Sequence, residues 1–305
     1  MSYGLGAETD NLPAFVVMTS GDQGPEAGAS IWSNGFLPSR HRGVAFLPTN
    51  DPIPYLSRPA GITGSMDALT LHSLRRLNAA AYERTGDIEI ASRMASYEMA
   101  FRLQSSAPEL LELSDETQAT QDMYGLNDGA TRKYGRNCLL ARRMIERGVR
   151  FVMLADSSWD GHSYLKRNHD QHCQATDRPV AALLTDLKRR GLLDNTLVIW
   201  GGEFGRTPMA ERSLPHLGAN TVGRDHHATG FSMWLAGGGS RAGHVVGATD
   251  ELGLRAVENP VHIHDLQATI LHLLGLDHES LTYRQVGREF RLTDVGGRVV
   301  PETLA

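Results

Sequence analysis

Three short stretches of the chain carry side chains able to do chemistry: Trp159-Asp160-Gly161-His162, Gly202-Glu203-Phe204-Gly205-Arg206 and Gly223-Arg224-Asp225-His226-His227. Each sets carboxylate, imidazole or guanidinium groups among glycines beside an apolar run, where an α/β protein builds a metal or anion site. Of thirteen histidines, eleven lie between His162 and His278 and only His41 and His72 precede them, so this chemistry is concentrated in the second half. His262, His264 and His272 read more simply as helix-end or core imidazoles satisfied by backbone groups. Adjacent histidines beside Asp225 are harder to explain as packing. Arg206 and Arg224, inside the motifs, could clamp an oxyanion bidentately.

The elements that must position these motifs follow from hydrophobic pattern and turn chemistry. Ala14 to Met18 reads as a buried strand running into Thr19-Ser20-Gly21-Asp22, inside a first 60 residues otherwise rich in loop formers. Amphipathic helices are expected near Met66 to Glu83 and Asp87 to Gln104, and again from Tyr134 to Arg147 with a stop at Gly148. Arg150 to Ala155 is a strand that delivers Trp159-Asp160-Gly161-His162. A helix from Arg178 to Gly191, with Asp177 as N-cap and Pro179 in its first turn, leads to a strand over Thr196 to Trp200 that delivers Glu203. Phe231 to Leu235 is a third strand, entered from the Asp225-His226-His227 loop and followed by a tight turn at Gly237-Gly238-Gly239. Ile263 to Leu274 closes the pattern as a helix ending at Gly275. This alternation implies an α/β fold, a mostly parallel sheet with right-handed crossovers and a ligand site beyond the carboxyl ends of its strands.

Composition narrows the class. The 305 residues suit one large α/β domain, with residues 1–64 its loop-rich part, and 41% hydrophobic against 21% charged residues is ordinary for a globular chain. No apolar run reaches the ~18 residues of a membrane helix. A net charge of -5 without a basic block argues against nucleic acid. Lys133, Lys166 and Lys188 are the only lysines against 27 arginines, a bias with no functional reading at most positions. Cys138 and Cys173 make neither a CxxC pair nor a disulfide framework, and no secretory signal opens the chain.

The run from Asp177 through Leu184, Leu187 and Gly191-Leu192-Leu193-Asp194-Asn195-Thr196 to Trp200-Gly201-Gly202-Glu203-Phe204-Gly205 resembles the sulfatase and alkaline phosphatase superfamily. His264-Asp265-Leu266-Gln267-Ala268-Thr269-Ile270-Leu271-His272-Leu273-Leu274-Gly275 is similar to a later sulfatase segment, in the right order. More closely, Glu203-Phe204-Gly205-Arg206-Thr207-Pro208, Arg224-Asp225-His226-His227 and Arg291-Leu292-Thr293-Asp294 resemble an uncharacterised, sulfatase-like bacterial family, domain of unknown function fifteen hundred and one, over essentially the whole chain. The resemblance implies a three-layer α/β/α sandwich around a mostly parallel sheet, alkaline-phosphatase-like, and a metal-dependent hydrolase of sulfate or phosphate esters, small or polysaccharide. It also implies an exported or periplasmic protein, or a cytoplasmic one where no signal operates.

Residue by residue, the resemblance assigns Asp160 and His162 to one metal, with Asp156 a competing ligand, and His226 or His227 to the same site with Asp225 as ligand or orienting partner. Glu203 stands where the superfamily has a metal-binding Asp, and Phe204 where it has a His. Two divalent ions are then expected, with Zn or Mn favoured by the mixed donors over Ca or Mg. The superfamily nucleophile and a first-strand Asp lie upstream of a stretch like Ser2-Tyr3-Gly4-Leu5-Gly6, so the chain reads as N-terminally truncated. Asp22 could replace the missing ligand, and Ser30 or Ser33 the nucleophile. The rival reading is a degenerate, non-catalytic relative, a binding module or gene fragment.

Overall fold

A computed structural model describes residues 1–20, 28–47, 52–53, 56–211 and 221–305. Asp22 lies outside the described residues. The chain divides into two compact units, Met1–Ser157 and Ser158–Ala305, where the sequence suggests one domain with a loop-rich part over residues 1–64.

The first unit contains helix α1 (Ser2–Leu5), strands β1 (Phe15–Thr19) and β2 (Val44–Phe46), helices α2 (Gly64–Thr85), α3 (Ile88–Leu111), α4 (Gln118–Met123) and α5 (Arg132–Glu146), and strand β3 (Phe151–Ala155). β1 is central and pairs in parallel with both β2 and β3. Val16, Val17 and Met18 are all buried, as a central parallel strand covered on both faces requires, and this accounts for an apolar run without alternation. The helix ends follow capping chemistry. The Thr63 hydroxyl accepts the Met66 N–H to open α2, and Gly86, at φ 65°, closes it. Asp87 opens α3 by accepting the Glu89 N–H at 2.9 Å. Gly148, at φ 81°, follows α5 as its sequence predicts. Leu140 and Met144 of α5 join Val16, Met18, Phe46, Leu103 and Leu110 in the core. Each such fully buried side chain contributes about 1.5–3 kcal/mol.

The second unit contains helix α6 (Leu165–Arg189), strands β4 (Val198–Trp200), β5 (Gly205–Arg206), β6 (His226–His227), β7 (Trp234–Ala236), β8 (Ala248–Thr249) and β9 (Ala256–Glu258), helix α7 (Ile263–Leu273), and the hairpin strands β10 (Thr282–Gln285) and β11 (Arg288–Arg291). Here the strands form antiparallel pairs: β4 with β7, β5 with β6, β8 with β9 and β10 with β11. The fold is therefore mixed α/β, and the described parallel pairing is confined to the first unit. Among the described residues between β4 and β7 there is no α-helix, and an antiparallel pair needs no crossover helix. Among the described residues no helix is long and apolar enough to cross a membrane.

Two local expectations change. α6 begins at Leu165, so Asp177 is not its N-cap and Pro179 sits buried within the helix. Leu165 to Asp177 is mostly polar and shows no apolar period, and its first turns are held by contacts that periodicity cannot report. The His172 ring lies 4.9 Å from the Trp159 ring, and Thr176 donates back to the His172 carbonyl at 2.8 Å. By contrast, the glycine turn is as tight as expected. A Cβ on Gly237 would lie 2.3 Å from the Leu193 carbonyl oxygen, and all three glycines have positive φ. α7 opens with a capping box between His262 and Asp265, and it fastens the C-terminal segment: Asp265 accepts the Arg298 N–H at 2.9 Å and Thr269 that of Val300 at 3.0 Å.

Candidate metal centre

Three segments of the second unit are knitted together by backbone hydrogen bonds, and the chemistry sits on their seams. Leu165 and Tyr164 donate to the carbonyls of Val222 and Thr221, and Arg224 donates to that of Gly161 at 3.1 Å. Glu211 and Gly223 exchange a reciprocal pair at 2.8 and 2.9 Å, and Thr207 donates to Asp225 at 2.9 Å. Gly223 is the point of closest approach. A Cβ there would fall 2.0 Å from the His162 carbonyl carbon, so no other residue allows these segments to meet.

The β5–β6 pair then decides which histidine faces the site. Side chains alternate along a strand, so His226 and His227 must point to opposite sides. His226 is exposed, while His227 is buried with no partner for its Nε2 among the described residues. Of the two, His226 is the one whose ring reaches His162 and Asp160.

His162 Nε2 lies 3.0 Å from His226 Nε2, His226 Nε2 lies 3.0 Å from Asp160 Oδ1, and His162 Nε2 lies 3.1 Å from the same oxygen. Donors on a tetrahedral ion with bonds of about 2.0–2.1 Å sit roughly 3.3 Å apart, so this triangle is close to the size one divalent ion requires. Behind it, Glu211 Oε2 approaches His162 Nδ1 at 2.7 Å. A proton on Nδ1 shared with that carboxylate leaves the Nε2 lone pair turned to the triangle, the arrangement by which a carboxylate orients a metal-binding histidine. Asp225, Glu211 and His162 make a second group of convergent donors, and both groups draw on His162. The described residues thus gather donors for one ion more readily than for two.

The electrostatics fit the contacts. The hydrogen bond to Glu211 raises the His162 pKa, aided by the Asp160 charge and opposed by burial. Burial pushes Asp160 upward, but hydrogen bonds from Arg206 and His226, with the Arg206 charge, outweigh it and hold the carboxyl below its ordinary range. Arg206 is already engaged: its Nη2 bonds Asp160 Oδ1 and its Nη1 donates to the Arg224 carbonyl at 3.1 Å. Arg224 is exposed and donates to Thr207 at 3.3 Å. As placed, Arg206 is a brace for Asp160 more than an open anion clamp.

Glu203 is exposed, with no hydrogen bond or ion pair among the described residues, and the neighbouring Phe204 ring lies 4.3 Å from that of His226. Asp156 belongs to the first unit, where it accepts the Ser20 hydroxyl at 2.6 Å beyond the carboxyl ends of β1 and β3. Ser30 and Ser33 are exposed in and just after the 3₁₀ helix Gly28–Trp32 of that unit. Glu211 is the residue that sequence reasoning missed. It sits in irregular chain without periodicity or motif, and only its bridge to Gly223 brings it to His162.

A mixed α/β chain with an open cluster of two imidazoles and a carboxylate, backed by a second carboxylate, is the class that fold and site define. The chain belongs to the family described as "Protein of unknown function (DUF1501)", which matches residues 1–304. No curated protein and no solved structure matches it.

Proposed function

We propose that the second unit binds a divalent metal ion through Asp160, His162 and His226 and serves a metal-dependent hydrolase acting on sulfate or phosphate esters. The observation that carries the metal is the triangle of donor atoms with Glu211 behind His162. Two nitrogens and one oxygen suit Zn or Mn better than Ca or Mg. A bound ion of this kind would polarise an ester oxygen and make a bound water more acidic. Glu211 orients the His162 ring, Arg206 fixes the Asp160 carboxylate, and Arg224, exposed at the edge, supplies positive charge for an anionic substrate. The ester class and an alkaline-phosphatase-like architecture rest on the resemblance of the Glu203 and His264 segments to sulfatases.

Zinc titration of the purified chain, followed by aryl-sulfate and aryl-phosphate assays with and without chelator, tests both parts. About one zinc per chain, lost in His226→Ala, and chelator-sensitive turnover are expected. A chain that retains no zinc would overturn the proposal. A second reading, a non-catalytic binding module, is favoured by one observation: the guanidinium of Arg206 already neutralises the Asp160 oxygen that the metal would use. Zinc binding without turnover of any ester would select it.

A further inference from the structure

Beside the metal cluster the second unit carries an aromatic array that the metal chemistry does not use. Trp200 and Trp234 are direct partners in the β4–β7 register, and their rings stack at 6.2 Å with an interplanar angle of 6°. Trp159, next to Asp160 in the chain, meets Trp200 edge-on at 6.4 Å. All three indoles are only half-buried. Indole N–H groups normally find an acceptor when they are buried. Those of Trp200 and Trp234 have none among the described residues, and neither is an enclosed, unsatisfied donor, so both meet solvent. Trp200 is followed by Gly201, against which the Met233 side chain packs, by exposed Gly202, and then by Glu203, whose carboxylate is exposed and unpaired among the described residues.

Flat apolar faces, free N–H donors and a free carboxylate together suit a ligand with an apolar C–H face and a rim of hydroxyl groups. We propose that Trp200, Trp234 and Glu203 form a pyranose-binding subsite, so that the ester handled at the metal cluster is carried on a saccharide. The C–H face of the sugar lies on the indoles, Glu203 accepts from adjacent hydroxyls, and the indole N–H groups donate to ring substituents. Glu203 thereby gains a role outside the metal's ligand set. A fully apolar ligand would leave Glu203 desolvated without a partner, which is costly. The saccharide proposal rests on the hydrolase reading for the ester alone, since sugar binding needs no metal.

The test is titration of the full chain, in chelator, with cellohexaose, maltohexaose and chitohexaose, read by tryptophan emission and checked by saturation-transfer NMR. At least one neutral hexasaccharide is expected to give a saturable shift, weakened roughly tenfold or more in Trp234→Ala and largely kept in Trp234→Phe. No shift with any of the three, or a shift unchanged by Trp234→Ala, would overturn the proposal. If Trp234→Ala does not fold, Glu203→Gln decides: binding weakened roughly fivefold supports the subsite, and unchanged binding overturns it. Because chelator is present throughout, failure here leaves the metal reading intact, and failure of zinc binding leaves this one intact.

Discussion

Each unit contains an array of charged side chains, and the two are built on opposite terms. In the first, Arg142 and Arg143 of α5 are almost wholly buried, and both guanidinium groups reach one oxygen of Glu116, at 2.7 and 2.8 Å. Glu146 adds a second carboxylate to Arg142 at 2.7 Å, and the Glu109 carbonyl takes another Arg143 N–H. The charges nearly cancel, and of the four side chains only Glu146 is more than a tenth exposed. In the second unit, Asp160, His162 and His226 are all at least one-third exposed, and their donor atoms converge on one point. Burial with mutual neutralisation marks a structural network. Convergence of imidazole nitrogens and a carboxylate at the surface marks a candidate site.

The contrast can be broken at its strongest point first. Replacing Glu116 with Gln leaves two arginines buried without their counter-charge, and it is expected to cost about 3–5 kcal/mol in urea unfolding followed by circular dichroism. Burial raises the Glu116 pKa, but hydrogen bonds from Arg142 and Arg143 and their charges pull it below the ordinary glutamate value. The stability that it contributes is therefore complete above that value and is lost as the pH falls through the lowered folded value. The wild type should lose stability over that acid range, and the Glu116→Gln chain should lose less. Equal acid slopes in the two chains would show that the array is not the structural element described.

In the second unit the order of effects reverses. His226→Ala is expected to weaken zinc binding by roughly 100-fold or more while changing unfolding stability by less than about 1 kcal/mol, since its side chain is exposed. Glu211→Gln, which keeps the shape and removes the charge behind His162, should weaken zinc by roughly 10–100-fold. Competition with a zinc-binding dye measures both. Glu203→Ala should leave zinc affinity within about twofold, as expected for an exposed surface carboxylate. A large loss there would place Glu203 back among the ligands, where the resemblance to sulfatases puts it.

How much of this was legible depends on whether a residue's role is local. α2, α3, α5 and α7 carry their caps and stops in the chain itself, as Thr63, Gly86, Asp87, Gly148 and His262 show. The motif residues Asp160, His162 and His226 could likewise be named from their glycine-flanked setting. α6 was half hidden because its first three turns are polar. Glu211 was invisible because its partner lies 49 positions away.

The sequence alone determined most of α2, α3, α5 and α7 and the C-terminal half of α6, that β1 would be buried and that the candidate ligands are gathered in the second half, because capping, turn chemistry and apolar runs act between near neighbours. Tertiary structure alone decided that β4 pairs antiparallel with β7, that His226 rather than His227 faces the cluster, and that Glu211 stands behind His162 while Glu203 has no partner among the described residues. Those outcomes depend on strand pairing and on the close approach at Gly223. Neither has a cause within a few residues of its effect.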